Sequence, residues 1–397
     1  MIGHNLSKIK TVRDFDLNGK KIFLRGDLNC PIENNVVKDD TRIEALLPTI
    51  KYIIENNGQI VLVSHHGRPH GEYIEDLSLK PVARRLEEIL DIEVSLVDCR
   101  LDDKKIQEIY ENNQKVTMLE NIRFCPEERE GDRKYAKKMS KIADIYINDA
   151  FGTCHRKHLS TFFIVQYFEK KGIGLLVERE LKTYADVLEN PSHPLIVVMG
   201  GSKVSDKIRV IKNMMSFADT FLIGGGMAYT LMKVKGYDIG NSLFEKEVYN
   251  VAKETIEYIE NDGVDFILPQ DHLIVKDIDK PENKRYSRQI PEGWIGVDIG
   301  LKTIENYRKV ILEAGTVIWN GPMGIFEKTE YAEGTKLIAK AIAETSAFTV
   351  VGGGDSGRAI RSFNLNQKVD FVSTGGGASL RLLEGYGLPC VEILEEK

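Results

Sequence analysis

Short apolar runs alternate with longer amphipathic stretches along almost the whole chain. Many of the runs are apolar at every position, which is typical of parallel strands buried on both faces. Between the runs, residues 205–218 and 334–346 repeat apolar side chains at helical spacing. This alternation predicts α/β structure with parallel sheets. The predicted strands include Lys21–Arg25, Gln59–Ser64, Lys115–Leu119, Ile145–Asn148, Leu195–Met199, Thr220–Ile223, Asp265–Leu268, Thr316–Trp319, Phe348–Val351 and Asp370–Ser373.

The clearest break in this pattern lies between residues 172 and 194. Gly172 and Gly174 precede a helical stretch, and Asn190-Pro-Ser-His-Pro194 ends it before a new strand. A chain of 397 residues is too long for a single core. We therefore expect two doubly wound, parallel-sheet (Rossmann-like) domains joined by a hinge helix. The predicted limits are 1–173 for the first domain, 174–194 for the hinge helix and linker, and 195–387 for the second domain.

Composition narrows the class of protein. The chain is 42% hydrophobic and 29% charged with a net charge of −6, which is ordinary for a soluble protein and unlike a basic nucleic-acid binder. No apolar run is long enough to span a membrane, and the first residues lack the apolar core of a signal peptide. The five cysteines are odd in number and form no Cys-x-x-Cys pair. We expect a cytoplasmic protein without a disulfide framework or a zinc site.

Glycine clusters mark the second half of the chain, each between a strand and a helix. They lie at 200–201, 224–226, 352–354 and 375–377. Glycine lets backbone N–H groups and the start of the next helix come close to an anion, so the set predicts phosphate binding. Lys203 and Lys207 follow the first cluster four residues apart, and we expect them to share a helix face around a polyphosphate. The order of a Walker A loop is absent.

One cluster allows two interpretations. Gly352-x-Gly354-x-x-Gly357 matches the dinucleotide fingerprint, so an NAD-dependent dehydrogenase is an alternative. Asp355 lies within the fingerprint, where it would face a pyrophosphate, and it suits a Mg²⁺ ion carried by a nucleotide better. A non-catalytic nucleotide-binding regulatory protein is a further alternative. Binding of NAD compared with MgADP separates the first two.

The first half carries arginine and histidine at the ends of its predicted strands instead of glycine. If the sheet is parallel, these loops meet at one edge and form a pocket for a small, multiply charged anion. One domain for nucleotide phosphates and another for a small anion together indicate phosphoryl transfer. The segments concerned are Arg25-Gly-Asp27-Leu-Asn29, Asp40-Thr-Arg42, His65-His-Gly-Arg68, Glu120-Asn-Ile-Arg123 and Asn148 to Arg156.

Taken together, these motifs resemble those of the phosphoglycerate kinase family over nearly the whole chain. The matching segments are Arg25-Gly-Asp-Leu-Asn-Cys-Pro31, His65-His-Gly-Arg68, Leu119-Glu-Asn-Ile-Arg-Phe124, Asn148-Asp-Ala-Phe-Gly152 with His155-Arg156, Gly200-Gly-Ser-Lys-Val-Ser-Asp-Lys207, Trp319-Asn-Gly-Pro-Met-Gly324, Gly352-Gly-Gly-Asp-Ser356 and Ser373-Thr-Gly-Gly-Gly-Ala-Ser379.

The resemblance implies Mg²⁺-dependent phosphoryl transfer between 1,3-bisphosphoglycerate and ADP, giving 3-phosphoglycerate and ATP in glycolysis. It also implies a monomer, closure of the two domains, and residues 388–397 packing back on the first domain. Arg42, Lys203 and Gly376 would stabilise the transferring group, and Asp355 would meet the Mg²⁺. Phosphoglycerate would be held by Asp27, Asn29, Arg42, His65, His66, Gly67, Arg68, Arg123 and Arg156. The nucleotide would be held by Lys203, Lys207, Gly296, Asn320, Glu327 (at the ribose), Gly353, Gly354, Asp355 and Ser356.

Several positions depart from the family pattern. Gly26 and Cys30 replace valines, His66 replaces leucine, and Leu301 replaces a common proline. Ser356-Gly-Arg358 stands where a threonine–alanine run is usual, so Arg358 adds charge on the nucleotide side. We expect Gly26 to loosen the first loop. Together these departures are expected to alter the kinetic and binding constants of the enzyme without abolishing its activity.

Overall fold

The structure is a computed structural model that describes residues 6–395. Its internal contacts divide the chain into two units. The first comprises the chain up to Ala185 together with the segment from Gly387 onward, and the second is Asp186–Tyr386. The division falls inside one helix, so residues 174–194 do not form a separate unit. Gly387, predicted to belong to the second domain, groups with the first unit.

The first unit contains a parallel sheet flanked by helices. In chain order its strands are β1 (Lys21–Gly26), β2 (Ile32–Glu33), β3 (Val36–Val37), β4 (Gln59–Val63), β5 (Val94–Val97), β6 (Val116–Leu119), β7 (Ile145–Asp149) and β8 (Lys170–Ile173). Its α-helices are α1 (Thr41–Glu55), α2 (Lys80–Leu90), α3 (Asp103–Glu111), α4 (Glu127–Glu130), α5 (Arg133–Met139) and α6 (Leu175–Glu189), which runs on into the second unit. Its 3₁₀ turns are Val12–Asp14, Glu75–Leu77, Ile122–Phe124, Ser140–Ile142, Phe151–Thr153 and Phe163–Tyr167.

Six of these strands pair in the order β5-β6-β4-β1-β7-β8, and every pairing is parallel. The chain leaves β1 toward β4 and later returns to its other side as β7, so the order reverses beside β1. Strands β2 and β3 form a separate antiparallel pair. The core lies between the sheet and α1, whose Ile43, Leu46, Ile50 and Ile53 are buried at helical spacing.

Gly26 is the last residue of β1 and is buried, so it belongs to the sheet and precedes the loop that it was expected to loosen. A Cβ built on Gly26 would lie 2.5 Å from Cδ2 of Leu46. The Leu46 side chain of α1 therefore occupies the space that a larger residue would need. The departure from the family pattern is compensated by packing between the strand and the helix.

The second unit contains a second parallel sheet. Its strands are β9 (Leu195–Met199), β10 (Thr220–Ile223), β11 (Asp265–Ile267), β12 (His272–Val275), β13 (Arg285–Ser287), β14 (Ile295–Ile299), β15 (Thr316–Asn320), β16 (Phe348–Gly352) and β17 (Phe371–Val372). Its α-helices are α7 (Ile208–Met214), α8 (Gly225–Val234), α9 (Tyr249–Asp262), α10 (Leu301–Leu312), α11 (Glu333–Glu344), α12 (Gly354–Ser362) and α13 (Gly376–Leu383). Its 3₁₀ turns are Lys246–Val248, Pro281–Asn283, Thr329–Tyr331 and Asn366–Lys368.

The parallel strands are ordered β11-β10-β9-β15-β16-β17. This is the doubly wound order of dinucleotide-binding folds, with β9 as the first strand and β15 as the fourth. Its switch point lies between β9 and β15, which pair with Leu195 opposite Thr316. The prediction of two parallel, doubly wound α/β domains is confirmed. A small antiparallel sheet, β13-β12-β14, was not predicted.

The prediction that Lys203 and Lys207 share a helix face is wrong, because helix α7 begins after both residues. The helix begins at Ile208, later than the predicted residue 205. Lys203 and Lys207 lie in the preceding loop, so they do not share a helix face.

After the second unit, the chain forms one more helix, α14 (Pro389–Glu392), which belongs to the first unit. The backbone N–H of Cys390 donates to the carbonyl of Cys154 at 3.2 Å. The Cys390 thiol donates to the carbonyl of Arg156 at 3.0 Å. The predicted tail 388–397 includes two residues, 396 and 397, that lie outside the described part of the chain.

Candidate active site

The first unit places its predicted ligands at the carboxyl ends of parallel strands, where α/β sheets bind ligands. Asp27 and Asn29 follow β1, and His65 to Arg68 follow β4. Arg123 lies in the turn after β6, Arg156 lies beyond β7, and Arg42 opens α1. All of these residues therefore lie along the same edge of the sheet.

Asp27 organises the centre of this edge. Arg42 donates from Nη1 to Oδ2 of Asp27, and His65 Nδ1 lies 3.9 Å from the other carboxylate oxygen. Burial opposes the ionised form of Asp27, but Arg42, His65 and Arg25 outweigh it and lower the pKa of its carboxyl to about 2. Burial also lowers the pKa of His65 well below its usual value, although Asp27 opposes that shift. Asp27 is therefore an anion that fixes Arg42 in place.

The loop after β4 is held by side chains from two other strand ends. Asn29 Oδ1 accepts the N–H of Gly67 at 3.0 Å, and Arg123 Nη1 donates to the Gly67 carbonyl at 2.6 Å. Asn121 bonds both the N–H and the carbonyl of His66, at 3.1 and 2.7 Å. His66 is buried, whereas Arg68 is exposed at the end of the loop. Asn121 was not among the predicted site residues, although it lies in the Leu119–Phe124 motif.

Positive charge is crowded at this edge. Burial, followed by the charges of Arg25 and Arg156, lowers the pKa of Arg123 to about 10. The Nε of Arg123 is buried and has no hydrogen-bond partner among the described residues. Arg156 Nε bonds Nε2 of His155 at 2.9 Å. An anionic ligand would relieve this repulsion and supply the missing acceptors.

Arg25 has a different environment from the other arginines. It lies within β1 and is fully buried. Its Nε donates to Oγ of Ser160 at 2.8 Å, and Nη2 lies 4.0 Å from the buried carboxylate of Glu128. Ser160 also donates to Glu128 through its hydroxyl at 2.8 Å. The Arg25 side chain is therefore paired inside the first unit, where it contributes positive charge near this edge of the sheet.

The second unit contains a polar cavity of about 480 Å³ at the switch point between β9 and β15. It lies where the three loops after β9, β15 and β16 meet the start of α13. Nearly all of the predicted phosphate ligands border it. These are Lys203, Lys207, Asn320, Gly353, Gly354, Asp355, Ser356 and Gly376.

Two helix N-termini converge on this cavity. Gly353 precedes α12 with φ of +91° and ψ of 150°, a conformation that is essentially restricted to glycine. Gly376 is the first residue of α13, and a Cβ built on it would lie 3.7 Å from the backbone N of Gly354. Free N–H groups and the positive ends of both helix dipoles therefore border the same space.

Lys207 and Asn320 border the same cavity, and Asn320 lies beside Gly353. Lys207 Nζ donates to Oδ1 of Asn320, whereas the buried Nδ2 of Asn320 has no hydrogen-bond partner within residues 6–395. Burial lowers the pKa of Lys207 to about 8, partly offset by Asp206, Asp355 and Glu384. An unpaired buried donor is costly, so this amide N–H₂ suits an acceptor brought by a ligand.

Ser356 borders the cavity but its hydroxyl is already engaged. It accepts the backbone N–H of Gly321 at 2.6 Å and thereby ties the first turn of α12 to the loop after β15. Ser356 was predicted to hold the nucleotide. Its present contact supports the loop geometry around Asn320.

A second cavity of about 510 Å³ adjoins the first and shares Gly201, Ser202, Pro322 and Asp355 with it. Gly296 and Glu327, the two remaining predicted nucleotide ligands, border this cavity. A Cβ on Gly296 would lie 2.2 Å from Oη of Tyr229, so only glycine fits there. The apolar wall was not predicted, because its residues come from one helix, one strand and three separate loops. It comprises Tyr229, Leu243, Ile278, Ile295, Val297 and Ile325.

The donor set fits a magnesium ion that arrives with a nucleotide. Asp355 is a carboxylate bordering both cavities. Within residues 6–395, no group of three or more His, Cys, Asp or Glu side chains is placed to bind a metal by itself. Mg²⁺ commonly takes one or two carboxylates together with substrate phosphates. The described residues also include no helix that is long and apolar enough to cross a membrane.

Comparison with known proteins agrees with this geometry. A profile of the family described as Phosphoglycerate kinase matches residues 12–386. A protein of that name from Dictyoglomus turgidum (strain DSM 6724 / Z-1310) is 47% identical over 395 residues, covering 98% of this chain and 99% of its own. One from Borreliella afzelii (strain PKo) is 45% identical over 392 residues, covering 98% and 100%.

Solved structures give the same result. The structure of phosphoglycerate kinase from Coxiella burnetii superimposes with a TM-score of 0.86 at 35% identity, covering 97% of this chain and 98% of that one. That from Pyrococcus horikoshii OT3 gives 0.84 at 31% identity with the same coverage. With a match from residue 12 to residue 386 and relatives covered almost end to end, the chain belongs to the phosphoglycerate kinase family.

Proposed function

We propose that the chain transfers a phosphoryl group reversibly between 1,3-bisphosphoglycerate and ADP, giving 3-phosphoglycerate and ATP as in glycolysis. The observation that carries this function is the pairing of two unlike anion sites in one family member. One is a cluster of arginines at a sheet edge, and the other is a cavity bordered by glycine amides and lysine. The dehydrogenase alternative has no support, because Gly352–Gly357 follows the fifth strand of the doubly wound order and the relatives are kinases.

We assign phosphoglycerate to the first unit. Arg42, held by Asp27, and Arg123, held against Gly67, present fixed guanidinium groups that suit carboxylate and phosphate oxygens. Burial lowers the pKa of Arg123 and the charges of Arg25 and Arg156 lower it further, so a bound anion would stabilise the charged guanidinium. The proposed ligands are Asp27, Asn29, Arg42, His65, His66, Gly67, Arg68, Arg123 and Arg156.

We assign the nucleotide to the two adjoining cavities of the second unit. The polar cavity suits the phosphates, and the apolar cavity suits the base and ribose, with Glu327 at a ribose hydroxyl. A bound Mg²⁺ would neutralise charge on the nucleotide phosphates, and Asp355 would hold it. The proposed ligands are Lys203, Lys207, Gly296, Asn320, Glu327, Gly353, Gly354, Asp355 and Ser356.

The reaction requires no protein nucleophile and no proton transfer. A β-phosphate oxygen of ADP attacks phosphorus in line, the bond to the acyl oxygen breaks, and its electron pair remains on the 3-phosphoglycerate carboxylate. Positioning and electrostatics therefore supply the rate. We propose that Arg42, Lys203 and the N–H groups at Gly376 and Gly353–Gly354 stabilise the transferring group.

We further propose that catalysis needs closure of the two domains about α6 and the linker that follows, because the two substrates bind different units. Closure would also exclude water from the phosphoryl group. We also propose that the protein acts as a cytoplasmic monomer without nucleic-acid or membrane partners. Light scattering of the purified chain tests the oligomeric state.

A coupled assay tests the activity directly. With 3-phosphoglycerate, ATP and Mg²⁺, we expect ADP formation that depends on all three additions. The Asp355→Asn variant serves as a matched control for the metal, and it should raise the Mg²⁺ concentration needed for half-maximal rate. Absence of ADP formation that depends on 3-phosphoglycerate, in protein with a native circular dichroism spectrum, would contradict the proposed function.

A further inference from the structure

Arg358 links two side chains that have separate roles in the proposed nucleotide site. It lies in α12, one turn after Asp355. Its Nη2 donates to Oδ1 of Asp355 at 2.9 Å and to Oε1 of Glu327 at 3.0 Å. Its guanidinium carbon lies 5.2 Å from the centre of the Phe326 ring. A single nitrogen with two N–H groups therefore joins the two carboxylates.

The arginine itself borders neither cavity, whereas both of its acceptors do. Glu327 borders the apolar cavity, and Asp355 borders both. Arg358 therefore acts on the site through these carboxylates and not by direct contact with a nucleotide.

The ion pairs of Arg358 are easily exchanged. The exposed fractions of the Arg358, Glu327 and Asp355 side chains are 56%, 53% and 65%. Ion pairs between exposed side chains are weak because water screens both charges. A dication that reaches Asp355 can therefore replace the guanidinium there, while Arg358 keeps its bond to Glu327.

We propose that Arg358 is a positioning residue that occupies Asp355 in the free protein and yields it to the magnesium ion of the nucleotide. This inference rests on the proposed function, in which Asp355 meets Mg²⁺. Because Arg358 holds Oδ1 of the carboxylate that would meet Mg²⁺, the arginine lowers affinity for the magnesium nucleotide. It lowers affinity for the metal-free nucleotide much less, so it sets how strongly the site prefers the magnesium form.

Calorimetry tests the inference through binding alone. The Kd of ADP is measured with excess Mg²⁺ and with EDTA, and the ratio of the two values gives the preference for the magnesium form. We expect Arg358→Ala to increase this preference by roughly two- to five-fold, in keeping with the loss of a weak competing ion pair. Arg358→Lys should give an intermediate value. Arg308→Ala is the matched control, because Arg308 forms an exposed pair with Glu344 at 3.0 Å and borders neither cavity.

An unchanged or reduced preference in Arg358→Ala would overturn the inference. The same would follow if both Kd values changed by one common factor, since that would indicate a structural role only. Asp355→Asn separates this failure from failure of the proposed function. If Asp355→Asn keeps the full preference of the wild type, the assignment of Mg²⁺ to Asp355 is wrong. If it removes the preference while Arg358→Ala leaves it unchanged, only the role of Arg358 is wrong.

Discussion

Lys207 is a proposed nucleotide ligand whose charge is sensitive to its burial. The pKa of its ammonium is lowered to about 8 by burial, so the group loses its charge within a pH range that the folded protein tolerates. A phosphate beside it favours the charged form. Loss of the proton above the pKa should therefore weaken phosphate binding.

We expect the affinity for MgADP to fall by about tenfold between about pH 7 and about pH 9, since each unit above the pKa removes most of the charged form. Lys207→Arg should flatten this dependence because arginine stays charged. Lys207→Met should bind weakly at both pH values. Calorimetry at the two pH values measures the Kd of MgADP for each protein. A pH dependence that is the same in Lys207→Arg and the wild type would contradict the prediction.

Lys203 should matter for turnover more than for stability. It is exposed beside the polar cavity, so its removal leaves no buried group unpaired. We expect Lys203→Ala to lower kcat by about 10²–10³-fold, as for loss of a group that stabilises transition-state charge. Lys212→Ala, an exposed lysine on α7 outside both cavities, is the control. Near wild-type turnover in Lys203→Ala would refute the assigned role.

Residue types and their order predicted which side chains lie near the carboxyl ends of the strands, but not which of them keep an unpaired donor. Arg25 and Arg123 look alike in sequence, each beside the carboxyl end of a strand. Arg25 is buried against Ser160 and Glu128, whereas Arg123 keeps an unpartnered Nε. The difference arises because Arg25 belongs to the central strand of its sheet, and no local signal reports that position.

Among the elements, α12 is preceded by a backbone conformation that only glycine adopts readily. Gly353 has φ of +91° and a Cβ there would lie 3.3 Å from Nδ2 of Asn320. Replacement by alanine should shift the helix N-terminus and displace Asn320, and it should cost about 1–3 kcal/mol of folding free energy.

We therefore expect Gly353→Ala to weaken MgADP binding by more than its effect on stability explains. Gly293→Ala is the matched control, because Gly293 also has positive φ (+78°) but its Cβ would meet no atom within 4 Å. Calorimetry and urea unfolding are measured for both variants. Equal losses of affinity in the two variants would count against the proposed role of the α12 N-terminus.

Elements with strong periodic patterns were predicted well. All ten predicted strands exist, with ends that differ by no more than two residues. Strands β5 and β8, the antiparallel pair β2-β3 and the antiparallel sheet β13-β12-β14 were missed. Strands β5 and β8 lie at sheet edges and are only partly apolar. Helix α7 begins at Ile208, the first residue of its apolar stripe, and not at the predicted residue 205, because residues 203–207 form a loop beside the cavity.

For the whole molecule, His272 should make stability sensitive to acid. Both of its ring nitrogens are buried and lack hydrogen-bond partners in the described part of the chain. Burial lowers the pKa of His272 to about 4, with Asp271 opposing the shift. The unfolded chain, with an ordinary histidine pKa near 6.5, binds the proton first. The stability contributed by the neutral ring is therefore complete above about pH 6.5 and is lost as pH falls toward about 4.

We expect the free energy of unfolding to decrease by up to about 3 kcal/mol across this range through His272 alone. His272→Phe should show a correspondingly shallower loss, because phenylalanine cannot take up a proton. Urea unfolding at several pH values measures both proteins. Parallel curves for the wild type and His272→Phe would contradict the prediction.

The proposed domain closure would change the dimensions of the whole molecule. We expect the radius of gyration in small-angle X-ray scattering to decrease when 3-phosphoglycerate and MgADP are present together, a pair that cannot react. Each ligand alone should have a smaller effect, because closure is favoured by contacts that need both substrates. No additional decrease with the pair would argue against the proposed closure.

Local patterns were sufficient for the class of fold, for the presence of two α/β domains and for most of the predicted residues that border the polar cavity. Apolar periodicity reports burial, and glycine beside a strand reports close approach of the backbone, so each signal is contained in a few neighbouring residues. The apolar wall of the second cavity, the burial of Arg25 and the sharing of Arg358 between Glu327 and Asp355 needed the folded chain. They bring together residues far apart in sequence, and such contacts depend on how strands are ordered and helices packed.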